Sequence, residues 1–91
     1  MEGLKMAGKP HNGWSSFTAW NVSLWLDNYC PNMSAACCAT IREYSKGNIS
    51  IDVAIINLEI TVLNYFHKMK TPDGHNISRR SLKEYLLTYA Q

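Results

Sequence analysis

The sequence predicts an all-α fold, a small single-domain bundle of about four helices. Three observations carry that expectation. Large apolar residues recur at steps of three and four in four successive segments. Pro, Gly and Ser punctuate the gaps between them. A chain of 91 residues with 46% apolar content can bury one core and has no room for a second domain.

Residues 1–13 carry Gly3, Gly8 and Pro10 with few large apolar groups and read as a flexible N-terminal arm, leaving 14–91 as the helical domain. A first helix is expected over 16–28. Ser15 and Ser16 offer a cap, and Phe17, Trp20 and Leu24 form an apolar line with Trp25 beside it. Val22 and Leu26 lie off that line, so this helix is covered on more than one side. Tyr29–Cys30–Pro31 closes it, because proline restricts the residue before it and suits the opening of the next helix.

A second helix is expected over 32–46, with Met33, Cys37, Ile41 and Tyr44 inward and Gly47 as the stop. Residues 49–56 are ambiguous, since Ile49, Ile51, Val53 and Ile55 alternate as a strand would. Length decides for a third helix over 50–69: Ile51, Ile55, Leu58, Val62, Phe66 and Met69 make one seam with no turn signal inside it. Val53, Ile56, Ile60 and Leu63 flank this seam, more apolar surface than three short helices need to cover it, which predicts a homodimer or a complex with a larger protein. Thr71–Pro72–Asp73–Gly74 is a turn signal. A last helix is expected over 80–90 with Leu82, Tyr85, Leu86 and Tyr89 inward. Ser81 and Glu84 match a capping box there, while the rival cap Ser78 would set Arg79 and Arg80 against the helix dipole.

Three cysteines, two of them adjacent at Cys37 and Cys38, do not form a disulfide framework, and no signal-peptide pattern or bilayer-length apolar run is visible. The expectation is a reduced, cytoplasmic protein without a membrane span. No metal is expected, because Cys30, Cys37, Cys38, His67 and His75 lack paired ligands at zinc spacing. No cofactor motif and no catalytic constellation occurs, and Asp27, Glu43, Asp52, Glu59 and Glu84 are scattered along the chain. The expectation is a protein that is not an enzyme. Glu59 alone sits among apolar residues, a position suited to an interface as well as to a solvated face.

The net charge of +2 is mild, but its distribution is uneven. Lys68, Lys70, Arg79, Arg80 and Lys83 against Asp73 give His67–Lys83 about +4, whereas Met1–Phe66 carries −1 from four bases and five acids. These five bases are candidate phosphate contacts. Used together on duplex DNA, they would give a log–log salt slope of roughly −4 to −5.

The stretch Asn12–Gly13–Trp14–Ser15–Ser16–Phe17–Thr18–Ala19–Trp20–Asn21–Val22–Ser23–Leu24–Trp25–Leu26–Asp27–Asn28 resembles a motif of small uncharacterised proteins of bacteriophages and mobile elements. Those proteins open with Asn-Gly-Trp, continue with aromatic-Glu-Thr-Trp-Asn-Val and close on Leu-Trp. Thr18 and Ala19 depart from the pattern and remove its carboxylate. The resemblance covers seventeen of 91 residues. It implies an accessory protein that binds a host protein or ribonucleoprotein complex, such as a restriction or CRISPR effector (an anti-CRISPR in the latter case). Read physically, Trp14 can pack back as a staple and Asn21 can satisfy a buried backbone or indole group. Trp14, Trp20 and Trp25 are more indole than the core requires, so they are also candidate interface anchors.

Overall fold

The structure, a computed structural model, describes residues 13–90. It is an all-α bundle of four helices: α1 Phe17–Asn28, α2 Pro31–Ser45, α3 Ile51–Phe66 and α4 Arg79–Tyr89. Neighbours in sequence pack together, α1 on α2, α2 on α3 and α3 on α4, and α4 closes the ring against α1. The expected arm, apart from Gly13, lies outside the described residues, as does Gln91.

Caps set most helix boundaries. Ser16 takes extended backbone and its hydroxyl accepts from the Ala19 amide at 3.0 Å, starting α1. At the start of α2, Cys30 accepts from the Met33 amide at 3.4 Å with Pro31 following at the first helical position. That helix ends in a Schellman arrangement. Gly47, at φ 79°, donates to the Tyr44 carbonyl, and Asn48 donates to that of Glu43. Ser50 caps α3 through the Val53 amide at 3.1 Å, so the ambiguous 49–56 stretch is helical from Ile51 onward.

Three sequence expectations are corrected. Helix α3 ends at Phe66, not at residue 69, because His67 steps into the left-handed region at φ 63°. Met69, Lys70 and Thr71 then run back against His75–Ile77 as a short hairpin, with the Thr71 amide donating to the His75 carbonyl at 2.9 Å. Helix α4 starts from Ser78, not from Ser81. The hydroxyl of Ser78 accepts from the Ser81 amide and Ser81 Oγ accepts from the Ser78 amide, so a serine does the work expected of Glu84. Arg79 does fall in the first turn, and the Glu59 carboxylate offsets the unfavourable dipole by pairing with it. Lastly, the buried face of α1 is Ala19, Val22 and Leu26, whereas Phe17 and Leu24 of the expected line are exposed.

The core joins Leu26, Met33, Cys37, Leu58, Val62, Leu82 and Leu86, all fully buried, with Tyr85 among them. Burying each of the larger side chains contributes roughly 1.5–3 kcal/mol. Ile55 and Phe66 complete the inner face of α3.

Candidate protein interface

The tryptophans of the motif hold the molecule together from its edges. Trp14 is buried and meets the Tyr89 ring at 6.1 Å, so it ties the chain before α1 to α4. Ser15 reinforces this link, its amide donating to the Glu84 carboxylate at 2.9 Å and its hydroxyl donating to the other oxygen. Trp20 and Trp25 are half-buried against the core. Trp25 Nε1 and Asn21 Nδ2 both donate to Asp73 Oδ2 at 2.9 Å, which ties the 71–74 turn to α1. Those two bonds, with the His75 charge nearby, hold the Asp73 carboxyl below its usual range. Thr18 and Phe17 grip the far side of the same turn through His75, at 3.3 Å and at a ring separation of 5.0 Å. The sequence reading has Asn21 satisfying a buried backbone or indole group; instead Asn21 and the Trp25 indole both donate to one acid that reading does not name.

A second polar group joins α1 to α4. Tyr85 and Tyr89 donate to the two oxygens of Asp27 at 2.8 and 2.6 Å. Burial pushes the Tyr85 phenol well above its ordinary range and the Cys37 thiol up to about 11, and with the Asp27 bond it pushes Tyr89 up to about 12. A cleft of about 470 Å³ opens beside this group, lined by Cys38, Ile41 and Arg42 among others. Asp27 reaches the cleft with each carboxylate oxygen accepting from one of these phenols. No cluster of three or more metal-ligating side chains occurs among the described residues. Nor is any helix among them long and apolar enough to cross a membrane.

The five bases stand in different surroundings. Arg79 is held by Glu59 in a two-pronged pair at 3.0 and 3.1 Å, so Glu59 is an ion-pair partner on the rim of α3. Arg80 lines a cleft with Ser16 and Ser78, where α1 and α4 begin. Lys68 and Lys70 line another, of about 250 Å³, beside Tyr29, Tyr65 and Phe66. Lys83 is exposed on α4.

The outer face of α3 is different in kind. Val53, Ile56, Ile60 and Leu63 are 42, 41, 51 and 45% exposed, on a helix whose opposite face is core. They succeed one another at steps of three, four and three, so they form one stripe along the helix. Asp52 and Asn64 border it as exposed polar groups, with Asn57 and Glu59 more covered. A continuous apolar stripe with a polar rim is the composition of a protein contact surface. Sequence reasoning found these four residues as uncovered flanks but did not place them among the candidate site residues.

No curated protein and no solved structure matches the chain. A family model described as a family of unknown function, DUF7249, matches residues 7–85, and the chain belongs to that family.

Proposed function

We propose that this chain is a non-catalytic, cytoplasmic protein-binding module that modulates a larger protein or ribonucleoprotein complex, with the outer face of α3 as its working surface. The observation that carries the reading is the exposed stripe Val53–Ile56–Ile60–Leu63. Aliphatic groups held in this way gain roughly 25 cal/mol for each Å² covered by a partner. The motif resemblance supports a phage-type accessory role on a host complex such as a restriction or CRISPR effector. The tryptophans serve this role indirectly, by bracing the bundle that presents α3.

A second reading, nucleic-acid contact, is favoured by one feature, the cleft where Lys68 and Lys70 stand beside Tyr29 and Tyr65. Two phosphate contacts with a base on an exposed tyrosine fit single-stranded nucleic acid. The salt slope would then be about −1.4, not the steeper value expected from all five bases.

Affinity capture from host lysate, with and without nuclease, separates the two. The protein-binding reading expects capture to survive nuclease, to be lost in Ile60→Lys and to be retained in Lys68→Glu/Lys70→Glu. Loss with nuclease and with the lysine double variant, but not with Ile60→Lys, would replace it by the second reading.

A further inference from the structure

We infer that the stripe on α3 is a two-heptad seam that pairs in parallel with the same helix of a second copy of this chain. The inference rests on the reading of α3 as a protein interface and names one occupant for it. Val53 and Ile60 fall at one heptad core position, Ile56 and Leu63 at the other. Both residues at the first position are β-branched, and the second includes a leucine, the pattern that favours two parallel strands.

The rim selects the orientation. Asp52 and Glu59 lie on one flank of the seam, and Asn57 and Asn64 lie on the other. In a parallel pair each flanking residue faces the residue five positions on in its partner. Asp52 then meets Asn57 of the second copy, and Glu59 meets Asn64, so each carboxylate faces an amide donor. An antiparallel pair would put acid flank against acid flank and amide flank against amide flank. Asp52 has no hydrogen bond or ion pair within the described chain and is free to take that donor, whereas Glu59 already holds Arg79.

The seam is short. Sixteen residues of α3 span about 24 Å, and two heptads bury less than the roughly 1,200 Å² typical of a stable interface. The pairing is therefore weak and dependent on concentration, and a net charge of only +2 does little to oppose it. Self-pairing occupies the same four side chains as a foreign partner, so the two compete.

Sedimentation equilibrium of the full chain from about 10 μM to about 1 mM reads the equilibrium directly. The expected result is a monomer at the low end passing to a dimer at the high end, and a monomer throughout for Ile60→Lys. Because Ile60 is half exposed, that variant keeps the bundle, which circular dichroism checks in the same samples. Asn57→Lys tests the orientation. In the parallel pair each new lysine faces Asp52 of the other copy, and the two exposed charge pairs together tighten the dimer about two- to thirtyfold. In an antiparallel pair it faces the neutral amide flank of the second copy and gains no such partner. A wild-type monomer at the highest concentration, a trimer, or a dimer that Asn57→Lys fails to tighten overturns the proposal. Retained, Ile60-dependent capture of a foreign protein in the monomeric case would show that the broader interface reading outlives it.

Discussion

Asp73 is the residue on which the aromatic motif converges. One of its oxygens accepts from both Asn21 and Trp25, 52 and 48 positions earlier in the chain. Nothing local in the sequence announces that meeting. Thr71–Pro72–Asp73–Gly74 is legible as a turn, and Trp20–Asn21 as a helical pair, but their docking depends on the third helix returning the chain at the right height. The carboxyl is held below its ordinary value of 3.8, mainly by the Asn21 bond and then by the Trp25 bond. A depressed carboxyl stabilises the fold fully above its unfolded value, and the contribution disappears as pH falls through the folded one. Trp25 fluorescence is therefore expected to change below about pH 3.8 as protonation weakens the hydrogen bond to its indole. Asp73→Asn should remove that titration and leave the fold intact. An unchanged acid titration in Asp73→Asn would mean that the clamp does not hold the turn in solution.

At the scale of helices, periodicity revealed α2 and α3 well, because Met33, Cys37 and Ile41, or Ile55, Leu58 and Val62, are aliphatic and sulfur side chains whose spacing matches the core they enter. It misdirected α1, where size stood in for burial. Phe17 and Trp20 are larger than Ala19 and Val22, yet α2 and α4 pack against the face that carries Ala19, Val22 and Leu26, and Leu24 turns outward. The start of α4 shows a second limit. Ser81 and Glu84 match a capping pattern, but Glu84 is taken by Ser15, 69 positions away, and Ser78 caps instead. Ser78→Ala should therefore cost about 1 kcal/mol and speed amide exchange at residues 80–82. Glu84→Ala should leave those amides protected and release the chain around Trp14 from α4. Faster exchange at the helix start in Glu84→Ala would restore the cap at Ser81.

Over the whole molecule, covered and uncovered apolar surface divide cleanly along α3. Its inner face supplies Ile55, Leu58, Val62 and Phe66 to the core, and its outer face leaves four aliphatic side chains two-fifths to one-half exposed. The bundle is small, with a radius of gyration of 13.0 Å, and it has too few helices to enclose a helix that is apolar on both sides. That imbalance was readable from composition and spacing. Which partner resolves it was not, because aliphatic side chains encode shape and register but no chemistry of recognition. The surroundings of Arg79, Arg80 and Lys68 were equally invisible, since the order of bases in a sequence fixes neither an ion-pair partner nor a cleft. A photoreactive benzophenone side chain placed at position 60, and separately at the exposed position 83 of α4, tests whether the outer face of α3 is the working surface. Irradiation in the host cell is expected to attach the position-60 variant to protein, whether a second copy or a foreign partner, and to leave the position-83 variant free. Crosslinks at position 83 with none at position 60 would contradict it.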